Sequence, residues 1–272
     1  MAENQAGPRL VKPRLIEPRL IETGYSAEEA LAGLQADFSE IAGKLAGRPA
    51  GSSPSGFVML ELVRHPDRQG EGEFPHLFLA AMNLRPAGQT SRVVRPRRFF
   101  GPGGPPGTSY SVCLAVLAHK RDVAAIPAKI KALDPSSPVV REMTCLESAS
   151  IMAPASRLFF EPGDQAFIGR AEQFEAVLLP LPNNKGRYPI IAFTKLAVKH
   201  GFKIVQSKRS GAGHLHILIW GPGEKLMDLA EFSLVWSLKR PGEKLWKRFL
   251  SRSSQALRAG LPETKAPARK GE

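Results

Sequence analysis

Cysteine is almost absent. Cys113 and Cys145 are the two in 272 residues, far apart and in neither CxxC nor Cys/His metal spacing. That disfavours a disulfide framework and a zinc ribbon, and predicts buried, reduced thiols in apolar strand-like runs. Tyrosine is nearly as scarce: Tyr25, Tyr110 and Tyr188, with none further downstream. No apolar run reaches the ~18 residues that a membrane span needs, and the opening residues carry no signal-peptide core. We therefore expect a cytoplasmic protein with no membrane partner. The GxxxxGK[ST] pattern is missing, which sets a phosphate-loop enzyme aside. Acidic residues are also in deficit, with 25 Asp+Glu against 38 Lys+Arg, a net charge of +13 and a pI near 10.0. Such an excess calls for a polyanionic partner, and nucleic acid is the commonest one. A hydrophobic content of 43% excludes wholesale disorder, and the length suffices for one sizeable core or two small ones.

What is present divides the chain into five stretches. Residues 1–25 form an extended Pro/Arg-rich arm with proline at positions 8, 13 and 18, a spacing that blocks helix and suits a plain linker or docking on another protein subunit, on nucleic acid or on the chain's own domain. Residues 26–50 hold an amphipathic helix and a linker. Ser26 with Glu29 reads as a capping box, and Leu31, Leu34, Phe38, Ile41 and Leu45 fall at helical spacing. Residues 57–165 make a first α+β half. It is read as a strand from Phe57 to Val63, a partner strand from Leu77 to Leu84, an Arg-rich loop over 85–100 and a strand from Ser111 to Ala118. A helix from Arg121 to Leu133, interrupted near Pro127, and a strand from Val139 to Glu147 complete it. Residues 170–240 make a second half: a strand from Phe174 to Leu181, a helix from Pro189 to His200 capped by Gly201, a hairpin, then a helix from about Glu224 to Leu238. Residues 241–272 are a basic helix and a disordered tail. The order of elements predicts the α+β class: ferredoxin-like or RRM-like antiparallel sheets with helices packed on one face, in as many as two such halves.

Chemistry concentrates at three places. Arg92, Arg95, Arg97 and Arg98 run into Phe99, and guanidinium groups beside an aromatic ring suit single-stranded nucleic acid. Lys244, Arg248 and Arg252 form an i, i+4, i+8 basic stripe fit for phosphate contacts. The third place is residues 202–221, FKIVQSKRSGAGHLHILIWG. Two apolar-rich segments flank a turn containing Lys208 and Arg209, and alternation in the second segment puts His214, His216, Leu218 and Trp220 on one face.

That run resembles the HUH (His-hydrophobic-His) motif of rolling-circle replication initiators, relaxases and helitron-type Rep domains. The resemblance implies that His214 and His216 hold a divalent metal, Mg²⁺ or Mn²⁺, which polarises a scissile DNA phosphate attacked by a tyrosine. The tyrosines all precede the motif, so the nucleophile it implies is Tyr25, as in relaxases with an N-terminal tyrosine. Asp164, Glu175 and Glu224 are the candidates for a third ligand. Two alternatives stand beside a DNA-nicking nuclease of mobile-element type. One is a non-catalytic RRM-like DNA- or RNA-binding subunit of a larger nucleoprotein complex. The other, from Ser210-Gly211-Ala212-Gly213-His214, is a primase-like nucleotidyltransferase.

Overall fold

The computed structural model describes residues 24–47, 56–68, 74–98, 107–160, 171–181, 187–210 and 213–241. Most of the arm, Phe99, Asp164, Lys244, Arg248, Arg252 and the basic tail lie outside the described residues.

Helix α1 (Ala27–Ala46) forms as its sequence predicts. The Ser26 hydroxyl accepts from the Glu29 amide while the Glu29 carboxylate accepts from the Ser26 amide, satisfying donors that the first turn cannot. Its stripe of Leu34, Phe38, Ile41 and Leu45 is buried. The stripe lies against a sheet of β1 (Phe57–Arg64), β2 (Arg85–Val94), β3 (Ser109–His119) and β4 (Leu146–Ile151), in the antiparallel order β2-β3-β1-β4. Helices α2 (His76–Ala81), α3 (Lys120–Lys131) and α4 (Pro138–Met143) add Phe78, Ile126 and Val140 to the same core, which meets Val58, Leu60 and Leu62 of β1.

The second sheet contains β5 (Leu158–Phe159), β6 (Ala171–Leu178), β7 (Lys203–Arg209), β8 (Leu215–Pro222) and β9 (Val235–Lys239), ordered β5-β9-β6-β8-β7. All its pairs are antiparallel except β5 with β9. Helices α5 (Arg187–Lys199) and α6 (Leu226–Ala230) supply Phe193, Ala197 and Leu229 to a core with Phe174, Ala176, Ile217 and Ile219. Met59, Ala115 and Leu117 of the first sheet belong to this second core, so the two halves share buried surface.

The two sheets have one connectivity. Each runs strand, helix, strand, strand, helical crossover, strand. In each the first strand lies between the third and the fourth, with the second outside the third. β1, β2, β3 and β4 thus correspond to β6, β7, β8 and β9.

Five elements differ from the sequence reading. The run from Leu77 to Leu84 is helix α2 followed by a turn at Asn83, whose φ is 57°. Phe78, Leu79 and Met82 are buried, one side of a helical turn rather than a strand face. The segment read as an Arg-rich loop is largely β2, an edge strand that accommodates Pro86 through a register shift between Pro86 and Gly88. At residues 138–143 the chain is helical, because the Ser137 hydroxyl caps the Val140 amide and Pro138 occupies the first turn. The apolar run after Glu224 splits into α6 and β9, the latter held by pairing with β6. Pro127 stays inside a continuous α3.

Candidate functional site

Cross-strand partners point to the same side of a sheet, so register defines the face of the second sheet that the helices leave. One row reads Lys208, His216, Val177 and Ser237 across β7, β8, β6 and β9. The next reads Gln206, Leu218, Glu175 and Lys239, and a third joins Lys203, Trp220 and Gln173. Each of the four strands contributes polar or cationic side chains to this face. Val177 and Leu218 are buried at its middle, whereas Trp220 is 40% exposed and Lys203 and Lys208 are exposed. The Lys203 ammonium lies 5.7 Å from the Trp220 ring centroid, a cation–π contact on the edge strand.

The centre of the face is an acid–imidazole pair. His216 Nδ1 lies 2.7 Å from Glu175 Oε1, and Lys239 Nζ lies 3.4 Å from Glu175 Oε2. Glu175 is 5% exposed, so its carboxylate is compensated by the imidazole and by the Lys239 ammonium rather than by water. A carboxylate only accepts, so the proton sits on Nδ1 and Nε2 is the ring's remaining functional edge. Glu175, a candidate third ligand by sequence, is therefore beside His216.

His214 has different surroundings. Gly213 adopts φ +83°, the Ser210 amide donates to the His214 carbonyl at 2.8 Å, and the β8 ladder opens only at Leu215. The imidazole lines a cavity of about 330 Å³ at the junction of the halves, with Arg85, Leu117, Leu179, Pro180 and Leu181. Alternation thus places His216, Leu218 and Trp220 together, and His214 precedes that ladder. Among the described residues no group of three or more His, Cys, Asp or Glu is placed to hold a metal ion.

Tyr25 and the predicted arginines sit on the first half. The Tyr25 hydroxyl donates to Glu147 Oε2 at 2.5 Å, and the Arg97 amide and Nε donate to Glu147 Oε1 at 2.8 and 3.2 Å. The Arg97 guanidinium also lies 5.4 Å from the Tyr25 ring centroid. Burial, then the bond to Glu147, pushes the Tyr25 phenol well above its ordinary pKa, opposite to what a nucleophile requires. Tyr25 packs in the first half, and the histidines belong to the second. Behind Tyr25, buried His65 accepts from the Asp67 amide at Nδ1, and its Nε2 lies 2.7 Å from the Arg98 carbonyl, which fixes the Nε2–H tautomer.

The remaining arginines are largely committed too. Arg98 pairs with Glu29 at 3.0 Å and Arg92 with buried Glu61 at 2.9 Å. Burial pushes the Glu61 carboxyl up against the opposing pull of Arg92, and burial followed by Glu61 raises the Cys113 thiol to about 11. Exposed Arg95 lines a cleft of about 410 Å³ with Asp37, Arg92, Arg97, Glu147 and Ser148. Burial raises the Asp37 carboxyl despite the amide of Ala149 that it accepts.

Sequence reasoning missed Lys239, because β9 was read as helix, and the Glu147 network, which joins residues far apart in the chain. The alternation Val235-Trp236-Ser237-Leu238-Lys239 is the signal that would have exposed the first. None announces the second.

No family description matches the chain, and no curated protein matches it. One similar solved structure is the crystal structure of an unknown protein from Galdieria sulphuraria, at 12% identity over 73% of this chain and 94% of that chain, with a TM-score of 0.19. A likeness of that size carries no argument about fold or function. No helix among the described residues is long and apolar enough to cross a membrane.

Proposed function

We propose that the chain is a nucleic-acid-binding protein built as two tandem ferredoxin-like units, and that single-stranded nucleic acid lies on the face of the second sheet opposite α5 and α6. The ferredoxin-like reading is supported by the repeated strand order. The observation that carries the binding reading is the composition of the face: Lys203, Lys208 and Lys239 ring the exposed Trp220 and His216 on four adjoining strands. Ammonium groups neutralise phosphates while an indole stacks on an unpaired base, the two components of single-strand binding. A net charge of +13 adds attraction at long range.

The test is fluorescence anisotropy of labelled single-stranded DNA and RNA at rising salt. Affinity should fall steeply with salt, and Trp220→Ala should weaken binding by about 1–3 kcal/mol, the worth of one stacked base. Binding that ignores both salt and Trp220 would defeat the reading.

A second reading, metal-dependent nicking of the HUH kind, is favoured by the proximity of His216 to Glu175. His216 Nδ1 is engaged by Glu175 Oε1 while Glu175 Oε2 has no hydrogen-bond partner among the described residues, and these two side chains alone fall short of the ligand set that Mg²⁺ or Mn²⁺ takes. A Mn²⁺-dependent nick in single-stranded DNA, lost in His216→Ala, is the result that would select it.

A further inference from the structure

We propose that His216 is the general base of a metal-independent RNA-cleaving centre on this face. The inference rests on the nucleic-acid-binding reading and adds a reaction to it.

The geometry is that of an oriented base. Glu175 holds Nδ1 at 2.7 Å, which fixes the ring plane and the tautomer, and leaves Nε2 as the proton acceptor. The carboxylate can do this because it is almost wholly buried on β6 and is itself steadied by Lys239 at 3.4 Å. His216 keeps 27% of its side chain exposed, so a substrate can reach the ring. Lys208 stands directly across the β7–β8 ladder from His216, on the same side of the sheet. Its ammonium is placed to offset negative charge that builds on a phosphate beside the imidazole. Trp220 and Lys203, two rows further along, would hold a nucleotide further along the strand and set its register.

The chemistry needs only RNA. His216 Nε2 takes the proton from a ribose 2′-hydroxyl, and the 2′-oxygen attacks the adjacent phosphorus. The P–O5′ bond breaks, the departing 5′-oxygen takes a proton from water, and the hydroxide so formed takes back the proton held on His216 Nε2. One fragment ends in a 2′,3′-cyclic phosphate and the other begins with a 5′-hydroxyl. No oxidant or cofactor is consumed, and DNA, which lacks the 2′-hydroxyl, is bound but not cut. Glu175 acts here as a positioning residue.

The experiment incubates the full chain with end-labelled single-stranded RNA in EDTA, beside the matching DNA and RNA carrying one 2′-deoxy nucleotide at the cut position. Products are resolved on gels, and binding is followed in parallel by anisotropy. We expect cyclic-phosphate products from RNA alone and none at the 2′-deoxy position. His216→Gln, whose amide N–H can still donate to Glu175, should cut about a hundredfold more slowly while the chain stays folded and still binds RNA. His216→Ala should cut as slowly and melt lower, because it leaves buried Glu175 without its imidazole partner. Glu175→Gln should lower the rate at saturating RNA while KM holds, a split that a general loss of structure would not give. RNA bound but uncut, or cut equally by both His216 variants, overturns the inference and leaves the binding reading standing. Cleavage of DNA, or cleavage only with added Mn²⁺, overturns it in favour of metal chemistry. Failure to bind RNA or DNA at all overturns both.

Discussion

In the first half, the sheet face turned away from the helices is partly taken up by packing. Met59, Ala115 and Leu117 enter the core of the second half, and Trp236 of β9 closes over Gly88 of β2. In the second half, the corresponding face carries Lys203, Lys208, Glu175, His216, Trp220 and Lys239. The two first strands make the contrast sharp, because each places one buried glutamate on this face. Glu61 is met by an arginine, a cation that cannot give up its proton, from β2. Glu175 is met by an imidazole with a second nitrogen to offer. One connectivity thus supports a structural ion pair in one copy and a candidate reactive pair in the other, and the side chains decide which.

The largest expected effect asks whether the halves are one folding unit. Phe174→Ala and Phe38→Ala each remove a fully buried ring from one core and should cost about 3–5 kcal/mol. Since Met59 and Leu117 tie the cores together, urea denaturation should remain a single transition in both variants. Two separated transitions would mean that the halves fold independently.

Gly88→Ala tests the junction alone. A Cβ there would meet the Trp236 ring at 2.7 Å, and such overpacking should cost about 1–3 kcal/mol in thermal or urea melts. Trp236→Leu should restore part of that loss in the double variant, a coupling that distant sites would not show.

Tyr25→Phe is smaller and separates structure from chemistry. It deletes a hydrogen bond to Glu147 and should lower stability by about 1–2 kcal/mol, read from urea melts. Nucleic-acid affinity and any cleavage should be unchanged. A covalent protein–DNA band lost in this variant would instead restore Tyr25 as a nucleophile.

Local signals carried the sequence reading as far as they could. The Ser26–Glu29 capping box, the β1 and β3 runs, α5 ending at Gly201 and the β7–β8 hairpin are encoded within a few residues each, and the structure has them where the pattern put them. Elements that depend on partners were misread. β9 is a strand because β6 and β5 flank it, and α2 is an apolar run too short for periodicity to sort. The site divided the same way. His216 and Lys208 share a face because period two and a hairpin put them there. The pairing of His216 with Glu175, 41 residues away, appears only when β6 lies beside β8. Arginine counting could not show their partners for a related reason: the carboxylates that engage Arg92, Arg97 and Arg98 come from Glu61, Glu147 and Glu29 on other elements.

The most direct test of the contrast is the salt dependence of single-strand binding in two matched double variants. Lys203→Glu with Lys208→Glu reverses two exposed cations of the second half, and Arg85→Glu with Arg95→Glu reverses two of the first. Each phosphate contact on a single strand contributes about 0.7 to the slope of log K against log salt. The second-half pair should flatten that slope by about 1.4 and the first-half pair should leave it near wild type. A slope flattened by the first-half pair and untouched by the second would contradict the account.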